Sequence, residues 1–258
     1  MSQTTAMVRV PVLEIFSSFQ GEGPRVGERQ VFVRLAKCDL RCAFCDTPES
    51  FPTPDTARVQ TSAPSGHDAR PENPLTVAAI LEAIERLDDP PGLHAAVTIT
   101  GGEPLLHPQA VHALAIGARA LGLRVHVETG GHRPGAVRHV LDVVDEFSPD
   151  LKLAGVTGAP TPWAAHEETY AMLEDAGKAL AVKAVVGADT PPAEIAEAAA
   201  FAAEHLPSAP FVIQPMTPPA GTAGKPTLYH LFHLHDAAGR VHPDVRLIPQ
   251  VHVYLGAR

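Results

Sequence analysis

All three cysteines of the chain, Cys38, Cys42 and Cys45, fall inside one eight-residue window with the spacing C-x3-C-x2-C. Three thiolates this close together can hold three irons of a cubane [4Fe–4S] cluster, because soft thiolate sulfur suits iron–sulfur centres. No fourth cysteine is available, so one iron stays open to a small molecule, as a catalytic cluster requires and an electron carrier does not. The competing chemistry is a Cys3His zinc site, which draws its ligands in pairs from two knuckles. Here there is no second knuckle, and the nearest downstream histidine, His67, lies in a Pro/Ser-rich stretch. Cysteines confined to one motif also argue against a disulfide framework and for a reducing compartment.

The elements that must position this loop follow from periodicity. Arg29–Leu35 (RQVFVRL) reads as a strand feeding directly into the cysteines. Thr76–Leu87 reads as a helix, with Thr76 as N-cap and Leu81, Ile84 and Leu87 at helical spacing. Strands and helices then alternate: Ala95–Thr100, Pro108–Leu121, Leu123–Glu128, a strand within Val140–Phe147, Thr161–Ala176, Ala179–Val186, Pro191–His205, Pro210–Gln214, Thr227–Ala238 and Val245–Ile248. Repeated strand–helix units imply parallel strands in an open or closed α/β barrel. A chain of 258 residues suits one such domain, 1–258, with residues 1–9 as a flexible tail. One stretch breaks the pattern: 48–74 carries six prolines and no apolar period, and reads as an insertion loop beside the cluster.

Composition narrows the function classes. A net charge of −9 argues against a general nucleic-acid-binding surface, and 45% apolar residues suffice for a sizeable core. The N-terminus lacks the pattern of a secretory signal, and no segment reaches the roughly 18 continuous apolar residues that span a bilayer. The expectation is a cytoplasmic protein with no nucleic-acid or membrane partner. Further polar turns stand at successive strand ends, where a barrel places its chemistry. They are Thr100-Gly101-Gly102-Glu103-Pro104, Glu128-Thr129-Gly130-Gly131, Ser148-Pro149-Asp150-Leu151-Lys152 and Gln214-Pro215-Met216-Thr217. Paired glycines let a backbone approach a ligand closely, and Glu103 can orient an amine. His230, His233 and His235 read as scattered histidines of an ordinary helix, since i and i+5 do not share a face. Lys183, charged and mid-strand, needs a partner and has no assigned role.

The C-x3-C-x2-C spacing with Phe44 before the last cysteine resembles the radical S-adenosylmethionine (SAM) enzymes, and the GGEP turn matches theirs in place and composition. The flanks are more specific. Glu14-Ile15-Phe16-Ser17-Ser18-Phe19-Gln20-Gly21-Glu22-Gly23, then Phe32-Val33-Arg34 before the cluster, Asp46-Thr47 after it, and a Gln250-Val251-His252 ending through Gly256 resemble the 7-carboxy-7-deazaguanine synthase family of deazapurine (queuosine) biosynthesis. The resemblance runs from about residue 12 to 256 and leaves the proline-rich stretch unaligned. It implies a partial (β/α)6-type radical SAM barrel and a carbon–nitrogen lyase. The implied reaction contracts the ring of 6-carboxy-5,6,7,8-tetrahydropterin with loss of ammonia, beginning with reductive cleavage of SAM and hydrogen removal at C6.

The site residues this implies are Cys38, Cys42 and Cys45 for the cluster and Thr47 for Mg²⁺. SAM would be held by Phe44, Asp46, Gly102, Glu103, Ser148, Lys152 and Gln214. The pterin would be held by Phe19, Gln20, Gly21, Glu22, Arg34, Thr100 and His252. Chemistry agrees for three of these: Gln20 offers donor and acceptor to a pterin edge, Glu22 can accept from ring N–H groups, and the Arg34 fork suits a carboxylate. No side chain is assigned as a general base. The chain departs from the family at Asp150, where a lysine is usual, leaving Lys152 as the nearby substitute, and at Val253, also usually lysine. A homodimer and a flavodoxin or ferredoxin as electron donor are further expectations. The alternative reading is a radical SAM activase that makes a glycyl radical on a partner protein; such an enzyme would need a polypeptide groove.

Overall fold

Alternating Val and Phe make Arg29–Leu35 a strand with the bounds its pattern predicts, but two strands precede it. Arg9–Val10 is β1, Val12–Phe19 is β2 and Arg29–Leu35 is β3, with β2 and β3 antiparallel. The computed structural model describes residues 7–63, 66–218 and 224–257. Residues 1–6 of the expected tail lie outside the described residues, while Arg9, its last residue, pairs with a later strand together with Val10.

The proline-rich insertion includes short strands among its described residues. It carries β4 (Arg58–Gln60), parallel to β2, and β5 (Asp68–Ala69), antiparallel to β4; β6 (Leu75–Thr76) then pairs with β1. Asn73 replaces missing ladder bonds. Its amide donates to the Val12 and Pro54 carbonyls at 2.7 and 3.0 Å and accepts from the Val12 N–H at 3.0 Å. Ala57 and Val59 bury fully or nearly so in the main core. These strands are too short to show a period in sequence, because two or three residues cannot declare an alternation.

Beyond them the chain alternates as expected. The elements are α1 (Val77–Leu87), β7 (Ala96–Gly101), α2 (Pro108–Ala120), β8 (Arg124–Thr129), α3 (Pro134–Val140), β9 (Glu146–Pro149), α4 (Ala154–Thr157), α5 (Trp163–Ala176), β10 (Val182–Val186), α6 (Pro192–His205), β11 (Phe211–Pro215), α7 (Leu228–Gly239), β12 (Val245–Leu247) and α8 (Val251–Leu255). Thr76 caps α1 as predicted, its hydroxyl accepting from Ala79 N–H at 3.2 Å. The strand expected within Val140–Phe147 begins only at Glu146: Val140 ends α3, and 141–145, apolar but for Asp142 and Asp145, form the turn that follows. Buried valines there fill the space between α3 and the sheet, so apolarity without alternation is not a strand signal.

Strands β3, β7, β8 and β9 pair in parallel, as do β10, β11 and β12. Single parallel bridges, Phe147 with Ala179 and Asp150 with Lys183, join the two sets into one open series, a partial barrel. Helices cover the outside with stripes such as Val77, Ile80, Ala83, Ile84 and Leu87 of α1. The inner face is polar for much of its depth. Gln30, Thr98, His126 and Ser148 form one hydrogen-bonded row, at 2.5, 3.3 and 2.8 Å. Arg25, Glu28, Arg124 and Glu146 interlock at the strands' N-terminal ends, opposite the cysteines. No helix among the described residues is long and apolar enough to cross a membrane.

Packing of the insertion has a measurable consequence. Val59→Ala removes two buried methyl groups from β4 and should cost about 2 kcal/mol of unfolding free energy. Urea denaturation checks it; an unchanged midpoint would mean that the insertion is not part of the core.

Candidate active site

Strand β3 ends at Leu35, and the chain turns through Lys37, at φ 77°, into the cysteine loop. Three main-chain bonds dock this loop on its neighbours: Gly102 N–H to Leu35 O at 3.1 Å, Glu103 N–H to Lys37 O at 2.9 Å, and Lys37 N–H to Ser50 O at 2.6 Å. Asp39 adds a side-chain anchor, accepting a fork from Arg133 at 3.1 and 3.0 Å and lying 3.0 Å from His132 Nε2. The three cysteines are free and half-buried at the mouth of a deep cavity. Burial pushes all three thiols up, and Lys152 pulls Cys42 and Cys45 partly back. Three free thiols on one loop at the mouth of a cavity, with no fourth cysteine in the chain, fit a three-thiolate cluster.

The glycines of the GGEP turn pack closely against the chain itself. A side chain at Gly102 would overlap the Lys37 carbonyl and the Cys38 Cβ, and one at Gly101 would overlap Leu35 backbone. The close approach they permit is to the cysteine loop. Glu103, only 1% exposed, is likewise committed. It accepts from Leu105 N–H at 2.9 Å, Thr129 Oγ1 at 2.7 Å and Gly130 N–H at 2.7 Å, locking the ends of β7 and β8 together.

Deeper in the cavity, four charges alternate. Lys152 donates to Asp150 Oδ2 at 2.8 Å; Lys183 lies 3.5 Å from the same oxygen and donates to Glu22 Oε2 at 2.5 Å. This answers the partner question for Lys183. Glu22 also accepts from Gln214 at 3.1 Å and Gln250 at 2.9 Å. Burial alone would raise the Glu22 carboxyl, but Lys183 and Gln250 outweigh it and hold it at about 2. Its stabilising contribution is thus complete above the ordinary carboxylate value and disappears as pH falls toward 2. Burial disfavours charge on Lys183 too, yet Glu22 and Asp150 raise its pKa overall. Lys152 lies 5.4 Å from the Phe44 ring centre, so it reaches the cysteine loop from the position where Asp150 cannot serve an anion.

Every sequence-predicted site residue lines this one cavity. Cys38, Cys42, Cys45, Phe44, Asp46 and Thr47 come from the loop after β3. Phe19, Gln20, Gly21 and Glu22 come from the β2–β3 hairpin, and Arg34, Thr100, Gly102, Glu103, Ser148, Lys152 and Gln214 from strand ends. His252 comes from α8, whose Val251 N–H donates to Gly21 O at 2.9 Å. Gln20, 3% exposed, is engaged within the protein by Glu128 and Gln30 at 2.9 and 3.3 Å. Glu22, Asp46 and His252 each place a ligand atom within 4.8 Å of the others, and Thr47 Oγ1 donates to Asp46 at 3.0 Å. An oxygen-rich group of this kind suits a hard divalent cation. The cavity also holds Glu128, His126 and Gln250, none of which the sequence reading gives a site role, although Glu128 and Gln250 stand in the motifs named above. Inward alternation in β8 would have indicated the first two. Of the α7 histidines, His230 and His235 contact backbone carbonyls and His233 stacks edge-on with Tyr229, as in an ordinary helix.

The radical SAM superfamily model matches residues 33–202. A 7-carboxy-7-deazaguanine synthase of Geobacter sulfurreducens is 37% identical over 94% of this chain and 96% of its own length. Its counterpart from Methanothermobacter thermautotrophicus is 34% identical over 98% and 99%. The chain belongs to the 7-carboxy-7-deazaguanine synthase family. It is accordingly a radical SAM enzyme, with a [4Fe–4S] cluster and SAM as the family's cofactors. Solved structures agree on the fold. The crystal structure of QueE from Escherichia coli superposes with a TM-score of 0.56 at 19% identity, covering 94% of each chain. A radical SAM methyltransferase from Sphaerobacter thermophilus gives 0.62 at 14% identity, covering 86% of this chain and 66% of that one.

The docking at Gly102 yields a prediction. Gly102→Val should lower iron content and SAM affinity together, because the added bulk displaces the cysteine loop itself. Iron analysis beside SAM titration calorimetry checks it; full iron content in the variant would refute the close approach.

Proposed function

We propose that this enzyme converts 6-carboxy-5,6,7,8-tetrahydropterin to 7-carboxy-7-deazaguanine with release of ammonia, in a Mg²⁺-dependent reaction. The observation that carries the reading is the convergence of the β2–β3 hairpin's polar set and Arg34 on the cavity whose mouth holds the three thiols. Cys38, Cys42 and Cys45 would hold the cluster. Phe44, Asp46, Gly102, Glu103, Ser148, Lys152 and Gln214 would surround SAM, with Glu103 acting through the turn it fixes. Bound there, cluster and SAM supply one-electron, hydrogen-abstracting chemistry. The protein's own part is binding, orientation and exclusion of water.

On the pterin side, Glu22 is kept ionised by Lys183, so it can only accept hydrogen bonds and selects for ring N–H groups. Gln20 and Thr100 present further polar atoms, Phe19 and Gly21 shape the rim, and His252 approaches from α8. Arg34 would take the substrate carboxylate. Thr47, with Asp46 beside it, would hold Mg²⁺, whose charge would anchor that carboxylate. Operation in the cytoplasm, as a homodimer and as one domain, with a flavodoxin or ferredoxin as donor, completes the proposal.

The test is anaerobic reconstitution with dithionite, SAM, Mg²⁺ and the carboxytetrahydropterin, with product read by ultraviolet spectrum and mass. Cys42→Ala should abolish the cluster absorbance and all SAM cleavage. Arg34→Ala should lose a charge-assisted contact of about 1.5–3 kcal/mol and with it most turnover, while slow substrate-free SAM cleavage persists. Wild-type protein that ignored this pterin and modified a polypeptide would replace the proposal with the activase reading.

A further inference from the structure

A row of side chains crosses four strands at one level of the sheet. Glu14 of β2 is the direct neighbour of Arg34 on β3 and of Arg58 on β4, and Arg34 is in turn the neighbour of Thr100 on β7. Glu14 is 4% exposed and faces both guanidinium groups: Arg34 Nε donates to its Oε1 at 3.0 Å, and Arg58 Nη2 lies 2.8 Å from its Oε2. Arg34 lines the cavity. With Nε given to Glu14, its two Nη groups are what it can offer a ligand.

We propose that Glu14 and Arg58 are positioning residues for Arg34, so that the proline-rich insertion takes part in recognising the substrate's carboxylate. The inference rests on the substrate-side role given to Arg34 above. A carboxylate beside a single arginine favours the two-toothed fork, taking Nε and an Nη together. Such a grip would make Glu14 a competitor of the substrate for the same fork. Arg58 sets its positive charge beside the second oxygen, which has no hydrogen-bond partner, and leaves Glu14 able to hold Arg34 by Nε alone. Burial adds force to this division, because a nearly enclosed carboxylate must have both oxygens compensated. Arg58 is itself supplied by β4, which exists only because 48–74 folds back as a strand beside β2.

Arg58 is the residue to change, since its side chain is 37% exposed and Glu14 retains one partner without it. In Arg58→Gln the KM for the carboxytetrahydropterin should rise by about tenfold, the size of coupling expected between contacting charged groups. Iron content, SAM affinity and substrate-free SAM cleavage should stay at wild-type values, and Arg58→Lys should recover most of the loss. The affinity for a tetrahydropterin lacking the 6-carboxylate, measured by titration, should be the same in Arg58→Gln and wild type. Equal weakening of both pterins in Arg58→Gln would mean a general distortion and overturn the proposal. So would an unchanged KM in Arg58→Gln when Arg34→Ala raises it. If Arg34→Ala itself leaves KM unchanged, the role of Arg34 falls and this proposal falls with it.

Discussion

The alternating charges Lys152, Asp150, Lys183 and Glu22 hold together the place where this barrel is weakest. Between β9 and β10 the strand pairing shrinks to isolated bridges, one of them at Asp150 and Lys183. The same two residues bring opposite charges to 3.5 Å. Unpaired, each would carry a large desolvation cost in so enclosed a position. Paired in sequence, they fasten three elements to that seam: the hairpin through Glu22, the cysteine loop through Lys152 over Phe44, and α8 through Gln250. Removing Lys183 leaves Glu22 without its lysine, whereas Asp150 keeps one lysine when either is lost, so Lys183 is the link on which the row depends.

That arrangement changes how polar residues of the cavity divide their work. Glu22, Gln20 and Glu103 look like free ligand contacts in a motif, yet each has protein partners. Preorganisation explains why this is useful: groups already aimed and neutralised need not reorganise when a ligand enters. The atoms free to meet a ligand are then those left over after the internal bonds are counted, such as the Nη groups of Arg34.

Much of the fold was legible because its signals are local. The bounds of β3, the cap of α1 and the repeating strand–helix order come from alternation, helical spacing and N-cap chemistry, which act over a few residues. What escaped has a common cause. Strands β4 and β5 are stabilised by pairing with distant segments, and Asn73 reaches Val12 across the chain, so nothing in their own residues announces them. The strand at Glu146–Pro149 starts later than the valines before it suggest, because buried valines serve a turn as well as they serve a strand. In the site, residue types indicated which side chains gather, since cluster, turn and hairpin motifs all end on one cavity. They did not indicate how Gly102 and Glu103 are used, because that depends on which backbone lies opposite.

The docking of Gly101 and Gly102 against Leu35 and Lys37 bears on how such motifs drift over evolutionary time. Selection at these positions acts first on chain-to-chain fit, whatever molecule later occupies the cavity. A descendant that abandoned SAM but kept its loop in place would still be held to glycine here. A GG pair after such a strand thus answers to the architecture of the chain as well as to any ligand.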